Sequence, residues 1–237
     1  MTDDAPPAAE SAPRRRRLPV GVEILIALVV VALVQAVLIK PFGVPSQSME
    51  NTLQIGDRIL VNRLPHTVTS QEVIVFGHGD TWAQARKSPS PNAIKQFVRT
   101  VGDFSGIGPS NTAYTVKRVI GLPGQRVACC TEKGEVTVDD TPLVEPYVYE
   151  DLPFTPGTQD CTTTPASPRC FGEITVPADN LLVLGDHRSQ SADSVMSCRG
   201  STEAVTGCAT FVPTGRVIGP VVFRLWPLRT AGGIPGP

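Results

Sequence analysis

Apolar positions follow two regimes along this chain. From Leu18 to Ile39 the residues are apolar except for Glu23 and Gln35, a run of 22 positions. As a helix it would span about 33 Å at 1.5 Å per residue, enough to cross the hydrocarbon of a bilayer. It is apolar on every side, unlike the amphipathic helix of a soluble domain. Beyond it the pattern changes to short β-branched runs: RILVNRL at 58–64, EVIVF at 72–76, AYTVKRVI at 113–120, EVTVD at 135–139, EITVP at 173–177, NLLVLGD at 180–186 and GRVIGPVVFRL at 215–225. Turn residues separate them, which predicts an all-β, mainly antiparallel domain. Two stretches break the rhythm and read as surface insertions. Residues 77–112 are Gly/Ser/Pro-rich around the helix-like AIKQFVRTVGDF, and residues 140–172 are rich in Pro and Thr. The organisation predicted is a disordered tail at 1–17, a transmembrane helix at 18–39, a β domain at 40–226 and a flexible tail at 227–237.

Charge orients the helix. Arg14, Arg15, Arg16 and Arg17 precede it and only Lys40 follows at once, so the positive-inside rule puts the N-terminus in the cytoplasm and the β domain outside. No small-x-small cleavage site follows at Lys40-Pro41-Phe42, so the segment reads as a retained anchor in the plasma membrane. The net charge of −1 leaves no global basic field and excludes a nucleic-acid binder. The 21 Gly and 23 Pro weigh against a helix bundle. All six cysteines fall after the helix, on the oxidising side. Short separations favour Cys161–Cys170 and Cys198–Cys208, each closing a loop worth about 2–3 kcal/mol. Cys129 and Cys130 are adjacent, and their pairing stays open. With no C-x-x-C pair, a zinc ribbon is not expected.

Three polar stretches carry candidate chemistry. PSQSMENTL, Pro45 to Leu53, starts six residues after the helix, so Ser48 lies within about 30 Å of its end even on an extended chain. In YTVKRVIGLPG, strand alternation puts Thr115, Lys117 and Val119 on one face and Val116, Arg118 and Ile120 on the other. Lys117 is therefore an amine among apolar neighbours. Burial lowers a lysine pKa because the charged form loses its hydration. A drop to near 8 costs about 3 kcal/mol and yields an amine able to deprotonate a serine hydroxyl. Arg118 cannot do this, because a guanidinium stays protonated. LGDHRSQSADS gathers Asp186, His187, Arg188, Ser189, Ser191, Asp193 and Ser194 in one loop after an apolar strand. The remaining histidines, His66 and His78, read as solvated loop residues.

In this order, behind one apolar helix, the three stretches resemble the bacterial type I signal peptidases, or leader peptidases. Ser46, Ser48, Met49, Thr52 and Leu53 match the first family motif; Lys117, Arg118, Gly121, Pro123 and Gly124 the second; Gly185, Asp186, Arg188, Ser191, Asp193 and Ser194 the third. The resemblance implies a membrane-bound serine endopeptidase that removes signal peptides at small-x-small sites and needs no metal or cofactor. It implies Ser48 as nucleophile and Lys117 as general base, with the Ser46 hydroxyl and the Ser48 N–H as oxyanion donors. Ser191 would aim the lysine, and Asp193, Asp186 and Arg118 would support the loop. Phe42, Val44, Pro45, Met49, Leu53 and Val116 would line the substrate pockets. The implied partners are exported preproteins, the lipid bilayer and the protein-export machinery.

Four residues depart from the family pattern: Asn51 for the usual Pro, Gln125 for Asp, His187 for Asn and Val195 for Arg. Three alternatives compete. One is a non-catalytic membrane-anchored paralogue. Another is a sortase-like transpeptidase recruiting Cys208, His187 and Arg216. The third makes His187 the base for Ser48.

Overall fold

The computed structural model describes residues 19–78, 82, 92–96, 99, 100, 113–203 and 205–236. The chain starts with helix α1, Val20–Val37. Strands follow as β1 (Ile39–Gly43), β2 (Arg58–Asn62), β3 (Val73–Gly77), β4 (Tyr114–Gly121), β5 (Arg126–Cys129), β6 (Val136–Val138), β7 (Thr141–Pro142), β8 (Phe171–Thr175), β9 (Asn180–Leu184), β10 (Val212–Pro213) and β11 (Val217–Trp226). They form a seven-stranded sheet, β1-β2-β11-β3-β4-β9-β10, and a four-stranded sheet, β7-β6-β5-β8. Every strand pairing is antiparallel, as the runs predict.

Each β-branched run read from the sequence holds a strand. Four strands were not foreseen: β1, β5 and the two-residue β7 and β10. Ile39–Gly43 continues the apolar helix without a turn signal; β1 lies at the sheet edge, where Pro41, a residue without an N–H, is tolerated. Arg126–Cys129 has only four residues and ends in a cysteine. β11 is one long strand because it bends. Its register slips between Val217 and Gly219, where any side chain on Gly219 would overlap the Asn62 carbonyl.

Apolar side chains collect in three clusters. One joins the small sheet to the large one through Ile120, Val127, Phe171, Leu182, Leu184 and Val195. A second packs Phe42, Val44, Met49, Leu53, Ile59, Val61 and Val116. The third holds Ile74, Phe76, Val119, Leu181, Val183 and Val212. β4 contributes to all three, so Lys117 at its middle is enclosed from several sides.

The insertion at 77–112 lies mostly outside the described residues; within it residues 93–96 are helical. Segment 140–172 has little regular structure beyond β7. It is tied by Cys161–Cys170 and by Arg169 to Asp151 at 2.8 Å. Cys198–Cys208 also forms as expected, and Cys129 pairs with Cys130. In residues 227–236, Gly232 exchanges backbone bonds of 2.7 and 3.0 Å with Arg224, and Ile234 packs on the second cluster. Among the described residues no helix is both long and apolar enough to cross a membrane.

Candidate active site

Ser48 sits on a tight turn between β1 and β2. The turn is closed by Glu50 N–H to Gln47 O at 2.9 Å and Leu53 N–H to Met49 O at 2.7 Å. Met49 and Leu53 are driven into the second cluster, and this burial fixes the turn that carries Ser48. Asn51 completes the turn at φ 77°. Proline, with φ fixed near −65°, cannot adopt that geometry, whereas asparagine tolerates it. Asn51, the first departure from the family pattern, thus suits the turn this chain adopts.

Ser48 and Lys117 open onto one cavity of about 430 Å³, walled by Val44, Pro45, Ser46, Met49, His78, Trp82, Tyr114, Thr115, Val116, Gln190 and Ala192. Ser46 Oγ lies 3.4 Å from Ser48 Oγ. Phe42 and Leu53 sit in the core beneath this wall instead of on it. Lys117 is 2% exposed. Burial lowers its pKa to about 8, and the negative charges of Asp193 and Asp186 oppose that shift.

The polar loop after β9 closes over the same place. Gly185 is wedged between Ser48 and Ser191: a β-carbon there would overlap the Ser191 hydroxyl and come within 2.5 Å of the Ser48 carbonyl oxygen. His187 N–H donates to that carbonyl at 3.2 Å. Asp186 is bound by Arg118 through two bonds, Nε to Oδ1 at 2.8 Å and Nη2 to Oδ2 at 2.7 Å, and by Thr52 Oγ1 at 2.5 Å. Arg118 also covers the Tyr147 ring at 3.7 Å. Ser191 Oγ is buried and has no hydrogen-bond partner among the described residues, so the bond to Lys117 that the motif implies is not formed.

Several residues here escaped the sequence reading. Asp193 pairs with Arg199 Nη2 at 3.1 Å, so the guanidinium absent at Val195 arrives four residues later. Val195 instead fills the first cluster. Gln125 caps its own turn, accepting from Leu122 N–H at 2.8 Å and donating to Asp139 at 3.1 Å. His78 is not solvated: it is 6% exposed, bonds Thr115 Oγ1 through Nε2 and lines the cavity. His187 meets carboxylates at both ring nitrogens and lies off the cavity wall. A sortase-like reading lacks its nucleophile, because Cys208 is in a disulfide and no cysteine is free.

A serine and a buried amine that loses its proton near pH 8, lining one cavity, are the equipment of a serine hydrolase with a lysine base. Comparison with known proteins narrows the class. The sequence profile described as "Signal peptidase, peptidase S26" matches residues 17–226. The Mycobacterium leprae protein described as "Probable signal peptidase I" is 36% identical over 211 residues, covering 82% of this chain and 71% of its own length. Signal peptidase I of Mycobacterium tuberculosis is 34% identical over 239 residues, covering 95% of this chain and 76% of its own. That of Leptolyngbya laminosa is 28% identical over 241 residues, covering 100% and 94%. The chain belongs to the signal peptidase family, peptidase S26.

Proposed function

We propose that this chain is a serine peptidase that removes signal peptides from exported preproteins, with Ser48 as nucleophile and Lys117 as its base. The observation that carries this reading is the buried Lys117 amine opening with Ser48 into one cavity. The neutral amine takes the Ser48 proton as Oγ attacks the scissile carbonyl carbon. The resulting ammonium then protonates the departing amine, and the acyl-enzyme is hydrolysed by water in the reverse sequence. Oxyanion charge is met by the Ser48 N–H and the Ser46 hydroxyl, the latter beside Ser48 Oγ. Val44, Pro45, Met49 and Val116 give the cavity apolar walls suited to small side chains at small-x-small sites. Phe42 and Leu53 support those walls from below. Asp186 with Arg118, and Asp193 with Arg199, hold the loop that covers the lysine, and Ser191 is buried within that loop.

The anchor belongs to the same reading. Helix α1 is about 27 Å long at 1.5 Å per residue, and Leu38 and Ile39 continue its apolar surface. Leu28, Val29, Val30 and Val31 are consecutive and all about half exposed or more, so no face packs on the domain. A helix of this kind finds its partner in lipid, with the arginine cluster on the cytoplasmic side and the peptidase outside. Preproteins reach the site from the export machinery while still at the bilayer.

The pH dependence of kcat tests the base. Lys117 acts as the free amine, so the rate rises with pH through about 8. A rate already flat between pH 6 and 9 contradicts Lys117 as base.

A further inference from the structure

His187 stands between two acids from different parts of the chain. Its Nδ1 is 2.8 Å from Glu50 Oε2, and its Nε2 is 3.2 Å from Glu150 Oε2. Glu50 follows Ser48 by two residues in the same turn. Glu150 ends the segment 145–150, which runs as a strap along the 186–189 loop. The strap is held by Tyr149 N–H to Asp186 O at 2.8 Å, Ser189 N–H to Glu150 O at 3.1 Å and Arg188 Nη2 to Glu145 at 2.5 Å. The Tyr149 ring meets the imidazole edge-on at 5.1 Å. Among the described residues, the ionisable groups facing the ring are Glu50 from the Ser48 turn and Tyr149 and Glu150 from the strap.

Carboxylates only accept. A neutral imidazole has one N–H to give, whereas an imidazolium has two. Both contacts are hydrogen bonds together only when the ring carries both protons, and then both are charge-assisted. The imidazole ring is nearly buried, its side chain 4% exposed, while its own backbone N–H holds the Ser48 carbonyl. One residue thus grips the nucleophile turn twice, once through its backbone and once through Glu50, and ties that turn to the strap.

We propose that His187 is a positioning residue: bridging Glu50 and Glu150, it fixes the Ser48 turn against the 186–189 loop and makes the 145–150 strap part of the peptidase machinery. The inference rests on the reading of Ser48 as nucleophile. Displacing a nucleophile lowers the chemical step and leaves binding in the cavity largely intact.

The test uses the full-length protein in detergent micelles with a purified preprotein, measuring kcat and KM for His187→Ala, Glu50→Ala, the double variant and His187→Gln. We expect His187→Ala to lower kcat about tenfold with KM changed less than about twofold. Glu50→Ala adds little on that background, and His187→Gln, whose amide still donates, recovers part of the loss. Undiminished kcat in His187→Ala, multiplying effects of the two alanines, or a glutamine no better than alanine overturns the proposal. Ser48→Ala is run beside them. If Ser48→Ala is active, the nucleophile assignment falls; if it is dead while His187→Ala is unimpaired, this inference alone falls.

Discussion

Burial strips the Lys117 amine of hydration, which is what the proposed base requires, and the same burial acts on stability. Its pKa is about 8 in the folded protein against 10.5 for a freely solvated lysine. Between those values the unfolded chain binds a proton that the native state lacks, so stability rises with pH across that window. Below pH 8 the penalty is fully present, on the order of 3 kcal/mol. Lys117→Met is therefore expected to be inactive yet more stable than the parent at pH 7, with the advantage shrinking towards pH 10.5. Thermal unfolding at several pH values checks this; a destabilised Lys117→Met contradicts it. This part of the site was legible in the sequence because alternation along one strand set a lone amine among Val116, Val119 and Ile120. His78 was not legible. Its role depends on Thr115 across a strand pair, a contact made by β3 and β4 lying side by side and not by local spacing.

At the level of elements, the loop from Gly185 to Cys198 works as a unit. Asp186 is neutralised by Arg118 and Asp193 by Arg199, so two acids beside the lysine raise its pKa less than bare carboxylates would. Removing Arg199 exposes Lys117 more fully to Asp193. Arg199→Gln is expected to move the rise in the kcat profile to higher pH, while Arg199→Lys restores much of it. An unmoved profile contradicts this coupling. Asp186 and Arg118 were expected to support this loop because both lie in motifs, and they pair with each other. Arg199 was not, since its placement follows from the short 3₁₀ helix Met196–Cys198 and from the way that segment turns back. The strands were read largely correctly from their β-branched runs. The edge strand β1 was missed because its apolar residues continue the helix pattern, and a period-based reading has no boundary to find there.

For the whole molecule, the arrangement follows from one short connection. β1 starts two residues after α1 ends, and the Ser48 turn follows β1 directly. Whatever holds the helix therefore holds the Ser48 turn close to it, and the proposed membrane anchor would keep the cavity near the bilayer. Under the proposed orientation, the disulfides of the β domain and the arginines before the helix fall on opposite sides of a membrane. In intact spheroplasts, added protease should reach the β domain, whereas a tag on residues 1–17 should be cut only after permeabilisation; the reverse pattern contradicts the orientation.

The central claim is that Ser48 performs the cleavage. It is tested most directly by incubating purified full-length protein and its Ser48→Ala variant with a preprotein and following release of the signal peptide. The account predicts processing at a small-x-small site by the parent and a loss of at least about a thousandfold in Ser48→Ala, with the variant still folded. Processing by Ser48→Ala at the parent's rate would contradict it.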